Sequence, residues 1–137
     1  MRFLCFLLVL ISVVSCTSVS ENDLGKLSGY WEIETAVLPD GTKKEYNINP
    51  TVDYFEVKGK TGFRKKVMPQ LDGKYLVNDQ QETFTFSDQD DKAVLNYKTK
   101  YAAWQEEILE LSNDELVVKN THGIEYHYKK PEPFTVK

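Results

Sequence analysis

The stretch GYWEIETAV (residues 29–37) decides the fold class of this 137-residue chain. Its larger apolar side chains, beginning with Trp31, fall at every second position and alternate with two glutamates and an alanine. A period of two is typical of a strand with one face buried and the other in water. Pro39-Asp40-Gly41 follows, with residues that favour a tight turn. We therefore predict that a half-buried β-strand opens the folded domain.

The rest of the chain repeats this pattern of short strands and polar turns. The run Trp104–Leu111 also has apolar residues at helical spacing, but it is short and no capping residue precedes it, so we predict a strand there too. Eight or nine closely spaced strands indicate an all-β barrel or sandwich, connected as one up-and-down antiparallel meander. The further runs are Val52–Lys58, Phe63–Leu71, Tyr75–Val77, Thr83–Phe86, Ala93–Thr99, Leu116–Thr121 and Ile124–Lys129.

The amino end has the pattern of an export signal. Arg2 is followed by an apolar run that is too short to span a bilayer as a helix. The run ends in Val13-Val14-Ser15-Cys16, which resembles the bacterial lipobox. That resemblance implies cleavage between Ser15 and Cys16 and lipid attachment to Cys16. The alternative is an ordinary signal peptide with a chance cysteine near its cleavage site.

Four segments follow from this assignment. We predict a lipoprotein signal peptide at 1–15, a lipidated cysteine with a flexible tether at 16–26, a β-barrel at 27–130 and a tail at 131–137. Several acyl chains would hold the protein on a membrane without a spanning segment. Thr17 stands where some enteric lipoproteins carry an aspartate that retains them at the inner membrane. We therefore expect a lipid anchor in the outer membrane, on its periplasmic face or at the cell surface.

Composition excludes several functions. Removing residues 1–15 moves the net charge from −4 to −5 because Arg2 is lost, and this acidity argues against a nucleic-acid partner. Cys5 leaves with the signal and Cys16 carries the lipid, so the domain has no thiol for a disulfide or a thiolate metal site. No phosphate-binding glycine loop occurs, and we expect no cofactor.

Two local patterns resemble the lipocalin-like lipoproteins of Gram-negative bacteria. Gly29-Tyr30-Trp31 looks like the Gly-x-Trp that opens the first strand of lipocalins, and the stretch from Ile108 to Val118 is similar to a strand–turn–strand motif of the small bacterial domains. The resemblance implies an up-and-down barrel in which Gly29 permits a close bend and Trp31 plugs the closed end. The step from Ile108 to Leu111 breaks the alternation, so we expect a bulge there.

Ligand-carrying lipocalins also stack an arginine of the last strand on this tryptophan. Arg64 is the only arginine after the signal and lies far upstream. We expect Lys129 or Lys130 to take the stacking position.

Aromatic side chains supply the candidate binding residues. An eight-stranded barrel can be filled by its side chains or can hold one small ligand, and the sequence leaves both open. If Phe63 and Val67 face inward, Lys65 also does unless a bulge intervenes, and there it could meet a ligand carboxylate or be compensated by Glu56. The candidate ligand-binding residues are Tyr54, Phe63, Lys65, Phe84, Phe86, Tyr97 and Trp104.

The remaining polar residues do not suggest catalysis or metal binding. His122 is expected at a turn, and His127 on the strand face opposite Tyr126 and Tyr128. The adjacent acids Glu106 and Glu107 should point to opposite faces and be solvated. We expect no catalytic residue, no metal site and no enzyme. The two functions that remain are binding of a small hydrophobic or amphipathic ligand, and a scaffold role in which a filled barrel docks on an envelope protein.

Overall fold

The computed structural model describes residues 19–46, 51–71 and 74–131, as nine β-strands and one short 3₁₀ helix. The predicted signal peptide, the Ser15–Cys16 cleavage site and residues 132–137 lie outside the described residues. The elements are the 3₁₀ helix Glu21–Leu27, β1 Gly29–Val37, β2 Lys43–Glu45, β3 Val52–Lys58, β4 Thr61–Pro69, β5 Tyr75–Gln89, β6 Lys92–Lys98, β7 Ala103–Leu111, β8 Glu115–Asn120 and β9 Glu125–Lys129.

The strands form one closed antiparallel barrel. Neighbours in the chain pair in order from β3 to β9, and β1 closes the ring by pairing with both β3 and β9. β2 is an additional short strand on the edge of β1, beyond the part that pairs with β3. Eight strands therefore make the wall, which confirms the predicted all-β, up-and-down barrel.

Two predictions about β7 are confirmed. The run from Trp104 to Leu111 is a strand and not a helix. Its register against β8 shifts between Ile108 and Glu110, which is the expected bulge. An extra residue in one strand bends the sheet locally, and barrels use such bends to curve their wall.

β1 also contains a bulge, which the sequence analysis missed. Its pairing with β9 shifts between Ile33 and Thr35. The simple alternation that begins at Trp31 therefore does not continue to the end of the strand. Beyond the bulge, Ala36 is the buried residue and Val37 is only half-buried.

The 3₁₀ helix shows that residues 21–26 of the predicted tether are part of the folded domain. The Ser20 amide donates a hydrogen bond to the Asp23 carboxylate at 3.0 Å, which closes the first turn of the helix. Leu24 and Leu27 are then buried in the barrel core. Apolar burial thus orders a segment whose polar composition suggested a free linker. No helix within the described ranges is long and apolar enough to cross a membrane.

The core fills the barrel from the end covered by this helix. Trp31, Phe55, Tyr97 and Leu95 are almost fully buried, and the indole Nε1 of Trp31 donates to the Leu27 carbonyl at 2.8 Å. The clustered core residues are Leu24, Leu27, Trp31, Phe55, Phe84, Phe86, Ala93, Leu95, Tyr97, Ile108, Leu116 and Val118.

Candidate functional site

The barrel has two different ends. We call the end that carries the 3₁₀ helix the closed end; the β3–β4, β5–β6 and β7–β8 turns lie there. We call the opposite end, with the β1–β2, β4–β5, β6–β7 and β8–β9 turns, the open end. The large hydrophobic residues with the most exposed surface all lie near the open end, namely Leu38, Met68, Leu71 and Tyr101.

Trp31 at the closed end is covered by a lysine. The ammonium of Lys130 lies 3.8 Å from the centre of a Trp31 ring, a cation–π contact. Gly29 has a φ of 121°, and a side-chain carbon there would lie 3.4 Å from the same ammonium. A glycine at this position therefore gives the backbone its conformation and leaves room for the lysine. Of the two lysines that the sequence suggested, Lys130 occupies the stacking position.

A cluster of charged side chains lies inside the barrel, centred on Arg64. Its Nε donates to Glu82 at 2.8 Å, its Nη2 also donates to Glu82, and its Nη1 lies 3.5 Å from Glu106. The Arg64 side chain is 12% exposed and that of Glu106 is 10% exposed. The guanidinium carbon also lies 4.5 Å from the ring centre of Tyr97 and 6.0 Å from that of Phe55. Arg64 thus joins three strands and covers the aromatic core.

Asp53 completes this cluster from β3. Its carboxylate is 7% exposed and accepts a hydrogen bond from Lys66, whose own side chain is 64% exposed, at 3.1 Å. Burial raises the pKa of the Glu106 carboxyl, although the positive charge of Arg64 opposes the shift. Burial likewise raises the pKa of the Tyr97 and Tyr128 hydroxyls, which lie in the field of the same charges. Proton loss from Glu106, Tyr97 and Tyr128 is therefore costly.

A pocket at the open end reaches the charged cluster. Its volume is about 460 Å³, and Arg64 and Glu82 form part of its wall. Tyr101, which is 89% exposed, stands at its rim beside Lys100. The remaining lining comes from Lys66, Gln80, Gln81 and Thr99. Since Arg64 lines the pocket and the rings beneath it are buried, an entering molecule meets charge before it meets the aromatic core.

Four of the seven predicted ligand-binding residues belong to the interior. Phe84, Phe86 and Tyr97 are buried core residues, and Trp104 packs against them, stacked on Tyr97 at a centroid distance of 5.4 Å. Gly62 leaves space for this cluster, because a side-chain carbon there would lie 2.6 Å from Cζ of Phe84. These rings fill the barrel and do not face the pocket at the open end.

The other three, Tyr54, Phe63 and Lys65, lie on the outer face of the barrel. They alternate with Phe55 and Arg64, which face inward, and the Lys65 ammonium lies 5.3 Å from the centre of the Phe63 ring. The inward placement of Lys65 was therefore wrong. Its premise was that the aromatic Phe63 faces the core, but Phe63 contacts Tyr54 on the outside at 6.2 Å.

Sequence reasoning also missed the charged cluster. Glu106 is 8% exposed, so the expectation that it is solvated was wrong. A signal was present, since Glu82 shares its strand face with Phe84, and Glu106 shares its face with Ile108. Two inward acids require a cation, and Arg64 supplies it. Within the described ranges, no group of three or more His, Cys, Asp or Glu is arranged to hold a metal ion.

The comparisons with known proteins agree with this architecture. The profile of the lipocalin-like domain family matches residues 27–118, which is more than half of the chain. The chain belongs to the lipocalin-like domain family. The resemblance inferred from Gly29, Trp31 and the strand–turn–strand motif is therefore confirmed. Among curated proteins, none matches the chain.

Several solved structures are similar to this chain at low identity. A lipocalin-like protein from Bacteroides uniformis is 15% identical, with 78% of this chain and all of that chain covered and a TM-score of 0.50. An uncharacterised protein from Bacteroides eggerthii is 12% identical, covering 76% and 98%, with a TM-score of 0.47. Apocrustacyanin C1 is 13% identical, covering 88% and 73%, with a TM-score of 0.46. At 15% identity, the likeness to the Bacteroides uniformis protein shows the fold alone.

Proposed function

We propose that this lipocalin-like protein is anchored in the outer membrane by lipid on Cys16 and binds a small amphipathic molecule at the open end of its barrel. The observation that carries the proposal is the pocket of about 460 Å³ that reaches Arg64 and Glu82. Ligand pockets commonly have volumes of about 300–1,000 Å³ and place a few polar groups among apolar surface.

The pocket's construction suits an amphipathic ligand. Arg64 and Glu82 are fixed to each other by hydrogen bonds, so a polar group that reaches them meets a rigid partner. Tyr101 offers an exposed ring at the rim, and Leu71 lies on a neighbouring turn of the same end. The polar part of a ligand can therefore bind at the floor while its apolar part covers the rim.

Native mass spectrometry of protein extracted from its own membrane tests the binding. We expect the wild-type protein to retain a small molecule. Tyr101→Ala removes the exposed ring at the rim and should lose that molecule, whereas Leu71→Ala, outside the described lining, should keep it. Both residues are exposed, at 89% and 79%, so neither change should unfold the barrel. Retention in every variant, or no bound molecule in the wild type, would contradict the proposal.

The anchor has a separate test. Cys16→Ala should leave the precursor uncleaved by the lipoprotein signal peptidase, and metabolic labelling with a radioactive fatty acid should show no acylation. Ser18→Ala, two residues further on, should be processed and labelled as the wild type. Normal cleavage and labelling of Cys16→Ala would refute the lipid attachment site.

The outer wall favours a second candidate function, docking on an envelope protein. Tyr30, Tyr54 and Phe63 form a row of outward rings with centroid distances of 4.9 and 6.2 Å. Phe63 also borders an open groove of about 650 Å³ that extends from β3 to the start of β7. Outward-facing aromatic rings of this kind are common in protein interfaces.

Photo-crosslinking in intact cells separates the two candidates. A crosslinking amino acid at position 54 should capture one defined protein if the barrel is a scaffold, whereas the same amino acid at position 119, on β8, should capture none. Absence of a specific product at position 54 would remove the scaffold candidate and leave the ligand-binding proposal in place.

A further inference from the structure

We propose that the closed end of the barrel rests on the headgroups of the membrane, so that the open end and its pocket face away from the lipid. The inference rests on the proposed lipid attachment to Cys16. It names the surface that meets the membrane, and it also fixes the side from which a ligand reaches the pocket, which is the aqueous phase.

The free length of chain between the lipid and the barrel is short. Val19, three positions after Cys16, already packs against the core cluster, and Ser20 donates from its amide and its hydroxyl to Asp23 at the start of the 3₁₀ helix. Three residues reach at most about 11 Å even when fully extended. A tether over residues 16–26 would let the barrel turn freely above the bilayer, whereas this spacing keeps Val19 close to the lipid.

The 3₁₀ helix is fixed to the closed end at both of its termini. Glu21, its first residue, lies 3.7 Å from the ammonium of Lys60 in the β3–β4 turn. Just beyond its last residue, the hydroxyl of Ser28 accepts a hydrogen bond from a backbone amide of β3 at 3.2 Å. Leu24 and Leu27 are almost fully buried, so release of the helix would expose apolar surface to water. The chain therefore leaves the barrel toward the membrane at the closed end.

The open end lies well beyond the reach of this connection. β4 runs from the closed end to the open end in nine residues. A strand of that length, at the usual tilt of an eight-stranded barrel, spans about 20 Å along the axis. Tyr101 at the pocket rim lies at the far end of this span. With the closed end at the headgroups, the pocket therefore opens into water.

The surfaces of the two ends differ in the same sense. In the described part of the chain, the exposed large hydrophobic side chains belong to the open end, where a bilayer would bury them if the barrel were free to turn. The attachment lies at the opposite end, whose turns carry polar residues such as Lys60, Asn113 and Asp114. Such a surface stays among headgroups, because its burial in hydrocarbon would be costly. The apolar rim is thereby kept away from the lipid and stays available to a ligand.

Fluorescence quenching on vesicles tests this orientation. The lipid occupies the thiol of Cys16, so a single introduced cysteine can carry a fluorophore. Asn113→Cys and His122→Cys label the exposed turns before and after β8, at the closed and the open end. Each lipidated protein is extracted from its own membrane and placed in phosphatidylcholine vesicles whose headgroups carry a nitroxide quencher. We expect the label at position 113 to be quenched and the label at position 122 to keep its full fluorescence.

A spacer variant supplies the control. A flexible Gly-Ser spacer of about ten residues inserted after Ser18 adds about 17 Å of average length. The spacer variant should lose the quenching at position 113 while still floating with the vesicles in a density gradient. Quenching at position 113 that survives the spacer would contradict the orienting role of the short connection.

The remaining outcomes separate the orientation from the anchor. Equal quenching at positions 113 and 122, or stronger quenching at 122, would overturn the orientation while the lipid anchor stands. Failure of the wild-type protein to float with the vesicles would refute the proposed anchor, and the orientation with it.

Discussion

The closed end and the open end of the barrel are built from the same strands but by different chemistry. At the closed end, Trp31 is fully buried, its indole donates to the Leu27 carbonyl, and Lys130 lies over its ring. Toward the open end, Arg64, Glu82 and Glu106 occupy positions that apolar residues would fill in a purely structural barrel. The difference supports the proposal that the closed end contributes mainly to stability and the open end to recognition.

The energetic argument supports this division. A buried ion pair loses hydration, and replacing it with well-packed apolar residues is often neutral or stabilising. Well-packed hydrophobic side chains in place of the cluster around Arg64 would therefore stabilise the barrel about as well. Groups that break the local rule of an apolar core are expected at functional sites.

The largest effect is expected at the closed end. Trp31→Ala should lower the free energy of unfolding by about 3–5 kcal/mol, because it removes a fully buried indole and leaves a cavity. Urea unfolding monitored by circular dichroism measures it. Trp104→Ala serves as the comparison, since Trp104 is only partly buried and should cost less. Equal losses at the two positions would contradict the distinction between the ends.

Breaking the charged cluster should have the next largest effect. Arg64→Met leaves the Glu106 carboxylate buried without its cation and should lower the free energy of unfolding by about 3 kcal/mol. This is the lower limit for a broken buried ion pair, and we expect it because Glu82 is partly exposed. Adding Glu82→Gln and Glu106→Gln to the same chain should recover most of this loss. If the triple variant were as unstable as Arg64→Met, packing of the arginine and not charge would be the cause.

The pH dependence of stability isolates Glu106. Burial raises the pKa of Glu106 above the ordinary 4.5. As the pH rises, the carboxyl therefore loses its proton in the unfolded state at a lower pH than in the folded state. The folded state then binds more protons, and this group's contribution to stability falls as pH rises until the folded carboxyl also ionises. The stability of the wild type relative to Glu106→Gln should therefore decrease with pH across that window. An increase would show that the pKa is lowered.

The smallest effect is expected for the lysine over Trp31. Lys130→Met should cost about 0.5–1 kcal/mol, because it keeps the aliphatic contact and removes the cation–π attraction. Lys129→Met, one residue earlier in the chain, should change stability by less. Thermal unfolding of the two variants side by side measures the difference. A larger loss of stability for Lys129→Met would contradict the assignment of the cation–π contact to Lys130.

Much of this architecture could be predicted from the sequence. The alternating runs predicted the strands because they depend on local periodicity, and the resemblance of Gly29-Tyr30-Trp31 to the lipocalin motif implied the barrel's closed end. The bulge in β1, the order of residues 21–27 and the outward position of Phe63 could not be predicted, since each depends on contacts with distant strands. The cluster around Arg64 could be predicted in part from the sequence, because strand alternation places Glu82 and Glu106 on inward faces.

The most direct test of the two-ended barrel is a ¹⁵N nuclear magnetic resonance titration with dodecanol, a small amphipathic probe. Arg64 is the only arginine from residue 16 onward, and its Nε–H donates to Glu82 at the pocket, whereas the indole N–H of Trp31 donates to Leu27 at the closed end. We expect the Arg64 resonance to shift and saturate while the Trp31 resonance stays in place. A saturating shift of Trp31 with Arg64 unmoved would contradict the assignment of recognition to the open end.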